Sequence, residues 1–152
     1  MKTTTVLGIG NILLKDDGIG IHLIDELEKL DFAETYKVEL VDGGTSILEL
    51  LDVFMSSERV IVLDSLKGGH EPGTIYRITT EQLGGYIKET TSLHDVQILD
   101  VIKDAKLLGS NPQVVIIGVE PDEIIYDMEL SDIIKEQIPN IIEIIRKELA
   151  NC

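Results

Sequence analysis

The sequence predicts an α/β three-layer sandwich: a mostly parallel, twisted five-stranded sheet with one antiparallel strand, flanked by helices. Two observations carry this. Helical and strand patterns alternate along the chain, as they do when helices cross between parallel strands. One connection between strands is too short for such a crossover. The 152 residues fit one domain, 1–152, with enough chain to bury a single core.

In order, Thr3 to Gly8 reads as a buried strand. An amphipathic helix follows from about Gly18 to Leu30, with Ile21, Ile24 and Leu27 on one face. Lys37 to Asp42 is the second strand, and Gly43-Gly44 turns the chain. Thr45 is placed to cap a helix running to about Met55. Arg59 to Leu66 is the third strand, centred on the apolar run Val60-Ile61-Val62-Leu63. The connection Lys67 to Pro72 is the short one, so the strand at Gly73 to Thr79 should run antiparallel to its predecessor, at a sheet edge. Ser92 opens a helix to about Leu108, which Gly109 ends. Gln113 to Val119 is the fifth strand and Pro121 closes it. A last helix runs from about Ser131 to Leu149. Pro139 inside it predicts a kink or a later start.

Charge limits the partners. Against 13 basic residues stand 28 acidic ones, a formal net of −15. Such a surface repels phosphate backbones and anionic lipid, which argues against nucleic-acid and membrane partners. No apolar stretch reaches the roughly 18–20 residues that span a bilayer. The start, with Lys2 before an apolar run, imitates a signal peptide. Asn11 interrupts that run and Lys15-Asp16-Asp17 follows it, so it reads as a strand. The single cysteine, Cys152, can form no internal disulfide, which points to a reducing cytoplasm. A terminal thiol is also poorly placed for catalysis. The expected state is a monomer.

Chemistry is expected beyond the carboxyl ends of the parallel strands, where strand order reverses. If the first and third strands are neighbours, their exit loops bring Asp16, Asp17 and Asp64 to one crevice. Clustered carboxylates repel unless a cation or protons intervene. In the string Ser92-Leu93-His94-Asp95, a capping box puts His94 in a first helical turn, where the helix dipole favours the neutral imidazole that a metal requires. Two carboxylates and one imidazole suit nickel, zinc or another borderline divalent ion. Bland alternatives stand beside this: Asp17 as a helix cap, Asp64 as a polar strand end, His94 as an exposed residue. His22 reads as a packed or exposed helix residue, and His70 as a solvated loop residue.

Gly8-Ile9-Gly10 follows a strand, and Asp42 ends the next, as in a dinucleotide site. Yet Leu13 stands where the third glycine should be, and Asp16 and Asp17 would repel phosphate. A nucleotide cofactor is therefore not expected. Neither a G-x-S-x-G elbow nor a usable cysteine is present, so hydrolysis would need metal-assisted attack by water.

Five segments together resemble the hydrogenase maturation endopeptidases. VLGIGNILLKDDGIG is similar to that family's opening strand, G-x-G-N and acidic pair. VDGGTSILELL resembles its D-G-G-T stretch, VIVLDSL its third strand ending in aspartate, SLHDV its histidine segment, and IIGVEPDEI its final strand. They run in register from Val6 to about Ile124. The resemblance implies an endopeptidase that removes the C-terminal extension of a nickel–iron hydrogenase large-subunit precursor after nickel insertion. It implies that Asp17, Asp64 and His94 contact the metal, a divalent ion contributed as nickel by the substrate or held as a hydrolytic centre. Asp16 is a candidate base or a support for these ligands. The family often has glycine two residues after the threonine of D-G-G-T, where this chain has Ile47. A rival reading with the same ligands is a non-catalytic nickel-handling chaperone.

Overall fold

The computed structural model describes residues 3–82 and 93–150, the side chains of Ile47 and residues 93–97 excepted. It contains a five-stranded sheet in the order β2-β1-β3-β5-β4. The strands are β1 (Thr4–Ile9), β2 (Glu39–Gly44), β3 (Arg59–Ser65), β4 (Ile75–Thr79) and β5 (Gln113–Val119). β1 pairs in parallel with both β2 and β3, and β3 in parallel with β5. β4 is antiparallel and lies at an edge, as expected, but its hydrogen-bonded partner is β5. The short connection turns the chain without pairing β4 to β3, because β5 occupies the place between them.

Helices α1 (Ile19–Lys29), α2 (Phe32–Tyr36), α3 (Ile47–Ser56), α4 (Leu93–Leu107) and α5 (Asp132–Ala150) flank the sheet. Each face buries its own cluster. Ile61, Leu63, Val115 and Ile117 pack against Leu23 and Leu27 of α1 and Ile141 and Ile145 of α5. The alternate side chains, Val60, Val62, Val114 and Ile116, pack against Phe54 of α3 and Ile98 and Ile102 of α4. Period-two alternation within uninterrupted apolar strands therefore feeds two cores, which is why these strands carry no polar face.

Several boundaries differ from the sequence reading for local reasons. A 3-10 turn, Lys15–Gly18, precedes α1, so the helix begins at Ile19. Its N-cap is Gly18, with no side-chain cap, so neither Asp16 nor Asp17 caps α1. The N-cap of α3 is Ser46, whose hydroxyl accepts from the Glu49 amide at 3.4 Å; Thr45 lies one residue outside. The short helix α2, with Phe32 buried, carried no periodic signal in five residues. α5 neither starts after Pro139 nor breaks there; the chain is helical from Asp132 to Ala150. Gly109 ends α4 with φ +94°, and the Ser110 amide returns to the Ala105 carbonyl at 2.8 Å. Ser92 and Cys152 lie outside the described residues.

α1 lies close against the sheet because Gly20 faces the backbone carbonyls of both Leu63 and Ile9. A methyl group there would meet main-chain atoms that cannot rotate away. Gly20→Ala should therefore destabilise the protein by about 1–3 kcal/mol, the usual cost of overpacking. Urea unfolding monitored by circular dichroism reads this, and an unchanged midpoint would show that α1 has room to retreat.

Candidate functional site

The order β2-β1-β3 makes β1 and β3 neighbours, with strand direction of travel reversing beside them. The loop leaving β1 carries Asp17, and Asp64 is the next-to-last residue of β3. Asp17 is 8 % exposed and Asp64 1 %. Donors to Asp17 among the described residues include the Asn11 amide at 3.0 Å to Oδ2 and the Ser65 hydroxyl at 3.1 Å to Oδ1. The Ser65 amide donates at 2.8 Å to Asp64 Oδ1. One residue thus donates to both carboxylates, its hydroxyl to one and its main chain to the other. Sequence reading passed over Ser65, because a serine at a strand end carries no motif.

Asn11 has a second task. Its side-chain oxygen accepts from the Leu13 amide at 2.9 Å, shaping the loop that returns to Asp17. Gly10, at φ +135°, faces the Asp17 carbonyl, where a Cβ would clash. The G-x-G-N segment therefore serves the close approach of this loop, in place of a phosphate cradle. Asp42, the candidate ribose ligand, is exposed and accepts from the Gly44 amide at 3.0 Å within its own turn.

Asp16 is 1 % exposed, yet its carboxylate serves the segment after β5. Oδ2 accepts from the amides of Asp122 and Glu123, each at 2.9 Å, and from the Ser131 hydroxyl at 2.6 Å. Oδ1 accepts from the Ser131 amide at 2.8 Å. Residues 121–130 thus form a strap fixed to the β1–α1 loop. Main-chain bonds add to this: Lys15 N to Asp127 O at 2.7 Å, and Asp127 N to Leu13 O at 3.0 Å. The Lys15 ammonium lies 3.4 Å from Glu123 and 3.7 Å from Asp127.

Glu120, 7 % exposed, begins the same segment. Its Oε1 accepts from the amides of Gly68 at 2.8 Å and His70 at 3.2 Å, and from the Tyr76 hydroxyl at 2.5 Å. This fixes the loop leaving Asp64 and Ser65. His70 is exposed, but its Nδ1 also contacts the Tyr76 hydroxyl at 3.0 Å. With the tyrosine proton given to Glu120, that ring nitrogen is the donor. His22 is half-buried on α1, its Nε2 buried and without a hydrogen bond among the described residues.

His94 falls in the first turn of α4. That helix runs down to the start of β5, so its first turn lies toward the carboxyl edge of the sheet. The His94 side chain itself is outside the described residues, as is that of Ile47. Among the described residues no three histidine, cysteine or acidic side chains gather as a metal site. The two carboxylates that are described fit a divalent cation by their chemistry: both are buried, both are oxygen donors, and a cation offsets their repulsion. Beside them, Gly10 to Leu13, Ile21, Asp42, Gly44 and Thr45 line a cleft of about 360 Å³.

A doubly wound α/β domain with buried acids at its carboxyl edge belongs to the class that binds or processes ligands at a topological switch point. Comparison with known proteins narrows this. A family model described as hydrogenase maturation protease matches residues 21–148, and the chain belongs to that family. It is 29 % identical over 140 residues to the hydrogenase 2 maturation protease of Escherichia coli, covering 91 % of this chain and 85 % of that protein. It is 31 % identical over 153 residues to a putative hydrogenase maturation protease of Methanocaldococcus jannaschii, covering 97 % of each. Against the hydrogenase expression/formation protein HupD of Thiocapsa roseopersicina it is 32 % identical over 95 % of this chain, but spans only 66 % of that protein's length. The fold superposes on the hydrogenase maturating endopeptidase HybD of E. coli with a TM-score of 0.85 at 27 % identity, covering 98 % of this chain and 93 % of that one. For HybD of Thermococcus kodakarensis the TM-score is 0.81 at 26 % identity, covering 97 % and 99 %.

Removing the Asp16 carboxylate leaves three amides and a hydroxyl without their acceptor. Asp16→Ala should cost about 2 kcal/mol or more. Hydrogen exchange should show the loss first at Asp122, Glu123 and Ser131, and protection retained there would remove the strap's dependence on Asp16.

Asp127 gives a pH signature. The Glu129 amide donating at 2.9 Å, with Lys15 nearby, holds the Asp127 carboxyl below its ordinary 3.8. A carboxyl lowered on folding stabilises above its unfolded value, and that contribution disappears as pH falls through the folded value. The difference in thermal midpoint between the native chain and Asp127→Asn should be full at neutral pH, begin to shrink as pH falls to about 3.8, and vanish only below the lower folded value. A gap that persists in acid would assign the effect to shape, not charge.

Proposed function

We propose that this chain is an endopeptidase that removes the C-terminal extension of a nickel–iron hydrogenase large-subunit precursor, in the cytoplasm, after nickel insertion. Membership of the hydrogenase maturation protease family supports the reaction class and the hydrogenase substrate. The observation that supports the site is the pairing of Asp17 and Asp64 through Ser65 at the carboxyl edge. No helix among the described residues is long and apolar enough to cross a membrane.

In this reading the nickel belongs to the substrate. Asp17 and Asp64 supply oxygen donors to it and His94 supplies a nitrogen. The ion provides charge neutralisation and a fixed point of attachment. Ser65 and Asn11 hold Asp17 in one orientation, so little is lost in ordering it when the precursor arrives. The precursor tail follows the cleft along Gly10 to Leu13, which places its backbone beside Asp17. Because Asp16 is engaged by the strap, its part is to hold the loop in shape. Loaded precursor is selected because the acidic pair gains its counter-charge only when nickel is present.

The test uses nickel-loaded and nickel-free precursor, each with chelator-treated protease. Loaded precursor should lose its tail and the nickel-free form should not. Asp17→Asn, Asp64→Asn and His94→Ala should each slow cleavage of loaded precursor by about 100-fold or more. Equal cleavage of the two precursors would sink nickel selection. Nickel binding without any tail release would indicate a chaperone.

A further inference from the structure

Of eleven large apolar side chains that stand exposed among the described residues, five lie on just two joined segments. Ile12 and Leu13 sit on the β1–α1 loop at 37 and 51 % exposure; Ile125, Tyr126 and Met128 sit on the strap at 49, 90 and 59 %. The segments adjoin through the backbone, since Leu14 and Asp127 form a parallel bridge. Folding does not account for these side chains. The strap is held by Asp16, by main-chain bonds and by Lys15, and Leu130 is its only buried apolar residue. A rigid polar staple thus presents aromatic and thioether groups to solvent, the composition enriched at the centres of protein interfaces.

We propose that the strap and the β1–α1 loop form the docking surface for the body of the hydrogenase large-subunit precursor, with Tyr126 and Met128 as its anchors. This rests on the proposed substrate. Its rim carries Asp122, Glu123, Asp127 and Glu129 against Lys15 and Lys135. The matching partner surface is apolar at its centre and basic around it. A second copy of this chain is a poor match, because it would bring the same acidic rim and a net charge of −15. Position adds a second argument. The loop that bears Leu13 continues through the 3-10 turn to Asp17, so a partner seated here reaches the paired carboxylates without any movement of the strap.

The double substitution Tyr126→Ser with Met128→Ser tests this, with Leu107→Ser and Leu108→Ser as the control. Those leucines are 86 and 62 % exposed at the far end of α4. With nickel-loaded precursor, the strap pair should raise KM about tenfold or more and leave kcat within about twofold. The control pair should leave both unchanged. Binding of nickel-free precursor, measured by calorimetry, reads the surface without cleavage or metal, and should weaken by a similar factor only in the strap variant. An unaltered affinity in that measurement overturns the docking surface whatever becomes of the nickel reading. A chain that sediments as a dimer, and as a monomer after the strap substitution, would assign the surface to self-association and overturn it too. If nickel-free precursor binds as expected but loaded precursor is never cleaved, the surface stands and the peptidase reading falls.

Discussion

The close approach of α1 to the sheet governs where everything else at the carboxyl edge can stand. Gly20 sits against the carbonyls of Leu63 and Ile9, and Gly10 against that of Asp17. With no side chain between them, helix and sheet meet at backbone distance. That contact leaves the chain few residues in which to climb from β1 and turn into α1. The result is a tight loop with a 3-10 turn, in which Lys15 takes a positive φ of 49°. The loop's amides find acceptors within it and on the strap: the Asn11 amide donates to Asp17, the Leu13 amide to the Asn11 side chain and the Lys15 amide to the Asp127 carbonyl. Asp17 accepts also from the Ser65 hydroxyl, and is held as a consequence.

Electrostatics explain why the strap had to come to this loop. Three acids, Asp16, Asp17 and Asp64, are buried within a small region. Burial disfavours the charged form of each unless donors surround it. Asp16 is surrounded by main-chain amides and the Ser131 hydroxyl, so its charge is fully occupied locally. Asp17 and Asp64 share Ser65 at the carboxyl edge of the sheet. The distribution of donors therefore gives two adjacent acids different partners: Asp16 holds the strap, and Asp17 is linked through Ser65 to Asp64. Composition could not make that separation, since both are aspartates in the same string.

The central strands β1, β3 and β5 were legible as apolar runs ended by a charged or small residue, and β5 matches its expected limits residue for residue. Their order was legible in part. The crevice argument needs β1 beside β3, which the sheet has. The partner of β4 was not legible, because a short connection fixes chain direction and not which strand intervenes. Helix starts were displaced by a residue or more where capping depends on backbone shape: Ser46 in place of Thr45, and Gly18 in place of either acid. Asp16, Ser65 and Glu120 gained their parts only from contacts across the fold. Asp16 meets residues more than a hundred positions away, and Glu120 meets Tyr76 from 44 away. Periodicity and local motifs report neighbours along the chain, so partners at that range leave no trace in them.

Two long-range carboxylates divide the edge between them. Glu120 ties down the loop after β3, and Asp16 ties the strap to the loop after β1. Both anchors involve the single segment that follows β5, which begins at Glu120 and ends at Ser131. That segment is therefore the mechanical link between the loop that follows Asp64 and the loop that carries Asp17. A partner bound to the strap bears on both loops through charged, short contacts that resist displacement. The arrangement favours a preformed cleft over one assembled on binding. If, as proposed, the acidic pair meets a cation carried by another molecule, preformation limits the ordering that binding requires and leaves the counter-charge itself to decide which molecule stays.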